Sequence, residues 1–200
     1  MSEPTPSFYN DLTETLAESW RLIARGVADR RSAFHHPTVA TLGLDGKPKL
    51  RTVIVRACDT PRRILRFHTD IRSEKVIEIG RDPSASLHFY EPSSKIQLRL
   101  TGVATVNVDN AVADAAWAES RDFSRAAYGI APGPGTVIAV GADFTLPEAS
   151  YEATAPGRVN FCAVTVDIQS LEWLYLASAG HRRALFHWER GEAKGQWLAP

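Results

Sequence analysis

Between Thr38 and Val108 the chain reads as short β-prone runs joined by hairpin-length links, and that spacing limits the fold more than any other feature. Thr38–Leu44 is followed by Asp45-Gly46, a strong signal for a tight hairpin, and then by Leu50–Ala57. An Asp59-Thr60-Pro61 turn leads into Ile64–Thr69, and after a short helical run come Ala85–Tyr90 and Ile96–Val108. Links this short join antiparallel neighbours, so the pattern favours a small antiparallel barrel over a parallel sheet. Gly102, inside the longest run, marks a bulge or a barrel corner.

The flanking regions fit the same domain. Residues 1–7 read as a loose tail, and Ser7 is expected to cap a helix over about 8–29. Phe8, Leu12, Leu16, Trp20, Ile23 and Val27 recur there at helical spacing, a stripe for core or subunit packing. Asn110–Tyr128 reads as one or two helices, 131–135 as a rigid loop and 141–158 as irregular. Strands at Asn160–Ile168, Ser170–Leu176 and Ala184–Glu189 would complete the barrel, giving one domain over residues 1–200. The class expected from this pattern is mainly β with flanking helices, a small antiparallel β-barrel.

Charge narrows the partners. Basic and acidic side chains number 23 each, which argues against broad attraction to nucleic acid or an anionic membrane. No apolar run approaches membrane-spanning length, and the polar, proline-containing start does not read as a signal peptide, so a cytoplasmic location is expected. Cys58 and Cys162 form no Cys-x-x-Cys pair and read as buried, reduced thiols. His35-His36 lacks a third ligand at useful spacing, so no metal is expected.

Against that neutral background, Lys49–Lys75 gathers Arg51, Arg56, Arg62, Arg63, Arg66, Arg72 and Lys75, which points to a local anion site. Ser73 stands as N-cap to a helix over Glu74–Ile79, whose first turn exposes free N–H groups and a positive dipole end. Lys75 is unfavourable there unless an anion joins it. A phosphate would meet that need, with the Thr69 and Ser73 hydroxyls as further donors. The competing reading is a solvated basic patch in which Glu74 alone satisfies the dipole.

The runs RTVIVRACD, RFHTDIRSEK and KIQLRLTGVATV resemble the pyridoxamine 5′-phosphate oxidase-like family of FMN-binding split barrels. The likeness is clear over Pro37–Val108 and weaker beyond. It implies FMN as cofactor, bound at a homodimer interface, and an FMN-dependent oxidoreductase acting on a small molecule. By the same resemblance Arg51 contacts the FMN phosphate, with Thr69, Ser73 and Lys75 at the same end. Thr52, Val53 and Ile54 border the flavin, His68 pairs with Thr69, and Gln97 comes from across the dimer interface. Arg56 stands where the oxidase has a lysine near ring and substrate. It is the candidate for steadying negative charge on reduced flavin or orienting substrate.

Trp117, Arg121 and Ser124 resemble the residues that hold the substrate phosphate. Arg182 and Arg183 stand where the family carries Arg-x-His-x-Arg, and Glu74 where it has a second base. These departures leave the substrate open. The alternative is a flavin- or haem-binding split barrel without turnover. Arg51 and Arg56 are an odd number of residues apart and would face opposite sides of a regular strand. Either a bulge intervenes or the flavin runs along an edge.

Overall fold

Nine antiparallel strands form one sheet in the computed structural model, which describes residues 6–177 and 180–200. They are β1 (Thr38–Leu42), β2 (Pro48–Thr52), β3 (Val55–Asp59), β4 (Ile64–Asp70), β5 (Ser84–Glu91), β6 (Ile96–Asn107), β7 (Phe161–Tyr175), β8 (Arg182–Glu189) and β9 (Glu192–Leu198). The main path runs β2-β1-β5-β6-β7-β4-β3, with β8 and β9 branching from β7. Its two end strands, β2 and β3, are consecutive in the chain and joined by Val53 and Ile54. A link of that length reaches no further than roughly 11 Å. The opposite edges of the sheet therefore lie side by side, and the sheet curls nearly onto itself without closing. This is the antiparallel barrel with flanking helices that the hairpin pattern implied, a split antiparallel β-barrel as the resemblance implied.

Two strand boundaries differ from expectation. Leu50–Ala57 is two strands: pairing with β1 continues as far as the Val53 amide, which donates to the Pro37 carbonyl at 2.9 Å, and Ile54 has no strand partner before β3 begins to pair with β4. A register shift between Val55 and Ala57 adds a further irregularity. The expected strands Asn160–Ile168 and Ser170–Leu176 are one long strand, β7. Thr101 pairs with Ser170 while Gly102 pairs with Ile168, so Gln169 is an extra, unpaired residue. That bulge switches the buried positions from Val164, Val166 and Ile168 to Leu171 and Trp173. Gly102 sits opposite because a Cβ there would lie 2.1 Å from the Asp167 carbonyl oxygen. A further strand, β9, follows a turn at Arg190-Gly191 with positive φ at both residues.

Alternation drives the core. Along β5, Ala85, Leu87 and Phe89 are buried while their neighbours face out, and Leu98, Leu100, Val164, Val166 and Phe186 complete the interior. Each such side chain contributes about 1.5–3 kcal/mol through burial. The N-terminal helix α1 spans Leu12–Ala28, and its cap is Asp11 rather than Ser7. The Asp11 carboxylate accepts the Glu14 amide at 2.8 Å, while Ser7–Asn10 form a separate 3₁₀ turn. Trp20 packs against Trp188 at 6.2 Å, fixing α1 to β8. Helices α2 (Glu74–Arg81) and α3 (Ala111–Glu119) follow, with single turns at Asp122–Arg125 and Tyr151–Thr154. Cys162 is buried as expected, but Cys58 is only half-buried. No helix among the described residues is long and apolar enough to cross a membrane. The expected tail at 1–7 lies mostly outside the described residues.

Candidate functional site

The seven cations from Arg51 to Lys75 do not form one patch. Arg62 pairs with Asp59, Arg63 lies over the Trp188 ring at 5.1 Å, and Arg72 is bonded to Asp70, so these three serve the fold. The remaining four divide between two places, because successive residues of β4 face opposite ways. Thr69 points to one side with Arg51 and Lys75. His68 points to the other with Arg56 and Arg66.

The first place is the junction of β4 with α2. Lys75 Nζ donates to Thr69 Oγ1 at 2.9 Å, and the Thr69 and Ser73 hydroxyl oxygens lie 3.3 Å apart. Ser73 is the N-cap residue, as expected, but its hydroxyl donates to the Asp70 carbonyl at 2.6 Å and caps no helix amide. The first amides of α2 are therefore left without a side-chain acceptor. Burial, and next to it the positive charge of Arg51, push the Lys75 ammonium below its ordinary pKa. A half-buried lysine under such pressure gains from an anion. Arg51, on β2, reaches the same region and is held by Glu78 of α2: Nη2 donates to Glu78 Oε2 at 2.7 Å, and Nη1 to Thr41 Oγ1 and the Lys49 carbonyl.

The second place is a cavity of about 210 Å³ between β3, β4, the end of α1 and the segment after α3. Arg30, Arg56, Arg66 and Arg121 line it, with Ser124 and His68. Glu119 is its one carboxylate, bonded to Arg66. Burial lowers the Arg56 pKa, and Arg30 adds to the effect. His68 is pushed down to about 3, first by burial and then by Arg66 and Arg56, so its imidazole is neutral near pH 7. Its Nδ1 lies 3.5 Å from Ser120 Oγ, and its buried Nε2 has no partner among the described residues. His68 meets Phe161 edge to face at 4.9 Å, and Trp117 and Tyr128 pack on the same Phe161 ring.

The structure thus brings Arg51, Thr69, Ser73 and Lys75 into one cluster, and Arg56, His68, Arg121 and Ser124 into the adjoining cavity. Thr52 ends β2 exposed, and Val53 and Ile54 form the link from β2 to β3, with Val53 buried in the core and Ile54 half-buried. The odd spacing of Arg51 and Arg56 is resolved by the break at Val53–Ile54, which carries the chain from one sheet edge to the other. Gln97, Arg182 and Arg183 are elsewhere in the same chain. Gln97 pairs with Leu174 and Arg182 with Tyr175, at the opposite end of β7 from Thr69, which pairs with Cys162. There Arg182 donates to Asn10 at 2.8 Å and Arg183 to Glu172 at 3.0 Å. Trp117 packs beside the cavity. Arg30, Thr41 and Glu78 went unnoticed in the sequence; nothing in their local pattern marks them. His35, the residue before His36, is buried, with Nδ1 2.6 Å from the Gly26 carbonyl oxygen. No group of three or more potential metal ligands occurs among the described residues.

The cluster fits a flavin mononucleotide tail by the chemistry of its donors: two cations, the Thr69 hydroxyl and the first amides of α2, which no side chain caps. Comparison with known proteins points the same way. The family described as "Pyridoxamine 5'-phosphate oxidase, FMN-binding domain" matches residues 17–108. Pyridoxine/pyridoxamine 5'-phosphate oxidase 2 of Arabidopsis thaliana is 22% identical over 167 residues, covering 78% of this chain and 83% of that protein. The chain spans about half the length of the bacterial oxidases it matches. Among solved structures, a pyridoxamine 5'-phosphate oxidase-related, FMN-binding protein of Nostoc punctiforme is similar with a TM-score of 0.72 and 25% identity, over 92% of this chain and 96% of that one. PhzG of Burkholderia lata, solved with tetrahydrophenazine-1-carboxylic acid, shares the fold with a TM-score of 0.71 and 20% identity, over 99% and 98% of the two chains. By its split barrel and the matched stretch within it, the chain resembles the pyridoxamine 5′-phosphate oxidase-like family of FMN-binding split barrels.

Proposed function

We propose that this chain is an FMN-dependent oxidoreductase that works as a homodimer on a small anionic molecule. One observation carries the reading: the lysine–threonine–serine cluster at the start of α2 and the arginine-lined cavity are joined through consecutive residues, Thr69 and His68. A phosphate gripped at the first would place a ring at the Val53–Ile54 link, beside the second. FMN carries a phosphate of about two negative charges, a matching load for Arg51 and Lys75. Bound there, the flavin supplies hydride acceptance and return.

The chain's own residues bind and orient. Arg56 stands in the cavity wall where negative charge on the reduced ring would fall, and a half-buried guanidinium stabilises such charge strongly. Arg121 and Ser124 hold the substrate's anionic group. His68, neutral, offers a hydrogen bond without adding charge. PhzG, with the same fold, is solved with a carboxylated ligand, which supports an anionic organic substrate. Gln97, Arg182 and Arg183 reach a flavin site only if a second subunit supplies them, so the dimer is part of the proposal. The whole of residues 1–200 is proposed to act as one domain.

Anaerobic mixing of the FMN-loaded protein with candidate donors, pyridoxamine phosphate and reduced nicotinamides first, tests this by bleaching near 450 nm. Bleaching by one of them, slowed in Arg56→Ala, is expected. A flavin that no such donor or anionic analogue reduces, although it binds tightly, contradicts the oxidoreductase reading.

A further inference from the structure

Glu78 is the one acidic side chain of α2 that is fully buried, 0% exposed, and it lies against the cation that holds the proposed phosphate. Its Oε2 accepts two bonds, from Arg51 Nη2 at 2.7 Å and from Thr41 Oγ1 at 2.5 Å. Thr41 in turn accepts from Arg51 Nη1. Glu78 and Thr41 together therefore occupy the guanidinium edge formed by its two terminal nitrogens. Arg51 Nε, on the other edge, makes no hydrogen bond to the described residues. Guanidinium groups bind phosphate through such paired N–H edges, and one edge is clamped while the other stays open.

The charge balance follows from the same contacts. Lys75 feels Arg51, Asp70 and Glu78. Asp70 is cancelled by Arg72, which bonds to both of its oxygens at 2.9 and 2.6 Å. Cys162 is held as a neutral thiol, its pKa pushed up to about 12 by burial. Glu74 is exposed on the helix surface. What remains in the pocket is two cations, Arg51 and Lys75, against one buried carboxylate.

We propose that Glu78 is a positioning residue for the cofactor phosphate: it locks Arg51 by one edge and holds the pocket at a single net positive charge, so that FMN is retained less tightly than two free cations would retain it. This rests on the reading of the cluster as a phosphate site. Glu78→Gln keeps the size and an acceptor oxygen but removes the charge. Its affinity for FMN should rise roughly tenfold, with a steeper loss of affinity on adding salt, as expected when one more unit of net charge faces the phosphate. Riboflavin, which has no phosphate, should bind it as it binds the unmodified protein. Glu78→Asp, which keeps the charge, should not share the gain.

Titrations of FMN and riboflavin against the unmodified protein, both Glu78 variants and Lys75→Ala decide the matter. An FMN affinity unchanged or lower in Glu78→Gln, while Lys75→Ala still loses FMN selectively, overturns the role of Glu78 and leaves the phosphate site standing. If Lys75→Ala loses no preference for FMN over riboflavin, the phosphate site itself is wrong. Should Glu78→Gln not fold, the unmodified protein still answers through riboflavin 5′-sulfate, which carries one negative charge. A preference for FMN over the sulfate of less than about tenfold supports a single net charge, and a larger preference overturns it.

Discussion

Replacing Arg51 by alanine is expected to damage the fold before it reports on any ligand. Glu78 is wholly buried, its Oε1 has no partner among the described residues, and Arg51 is its charged neighbour. The pair lies where water screens little, with 21% of the Arg51 side chain exposed and none of Glu78. Removing one partner of a buried ion pair strands the other charge, which costs about 3–5 kcal/mol. For a chain of this length that is a fall in melting temperature of roughly 6–20 °C. Glu78→Gln in the same chain removes the stranded charge and should restore most of the loss, since a neutral amide costs far less to bury. Urea unfolding of the ligand-free single and double variants measures both effects. A loss below about 1 kcal/mol in Arg51→Ala, or no recovery in the double variant, would refute the claim that this pair is a coupled buried unit.

Three further outcomes are expected. Lys75→Ala should weaken FMN by about 1.5–3 kcal/mol, one charge-assisted hydrogen bond, and leave riboflavin affinity unchanged in fluorescence titrations. His68 is held neutral down to about pH 3 in the fold but takes a proton near its ordinary value of 6.5 when unfolded. The unfolded chain therefore binds the extra proton between those values, and stability falls as pH drops through that window, by at most about 1.4 kcal/mol per pH unit; His68→Phe should flatten that decline in acid unfolding curves. Gly102→Ala forces a methyl group to within 2.1 Å of the Asp167 carbonyl oxygen and should destabilise by about 1–3 kcal/mol or more, read by thermal melting.

The parts of this molecule visible in the sequence are those fixed by local spacing. Alternation in Ala85–Tyr90 and Ile96–Val108, and the Asp45-Gly46 turn, placed those strands close to where they are. Ser73 marked the start of α2 correctly, although its hydroxyl bonds backward to Asp70 rather than into the helix. The bulge at Gln169 disguised β7, because it shifts the apolar phase by one and makes one strand look like two. β9 gave no signal, since nearly all of Glu192–Leu198 is exposed and nothing alternates.

At the site, the excess of cations in 49–75 was legible but its division was not. Adjacent residues on a strand face opposite sides, yet which arginines meet a carboxylate depends on strands far away in sequence. Thr41, Arg51 and Glu78 come from β1, β2 and α2, and only the folded chain puts them in contact. Arg30 reaches the cavity because α1 packs across β3, a tertiary fact that helical spacing does not contain.

The central claim is that the cluster at the start of α2 grips a phosphate that ends a flavin. Its most direct measurement is the affinity of the unmodified protein for FMN beside its affinity for riboflavin, under identical low-salt conditions. The account predicts FMN at least about a hundredfold tighter, as expected for two charged hydrogen bonds to the phosphate. Equal affinity for the two flavins, or binding of neither, would contradict it.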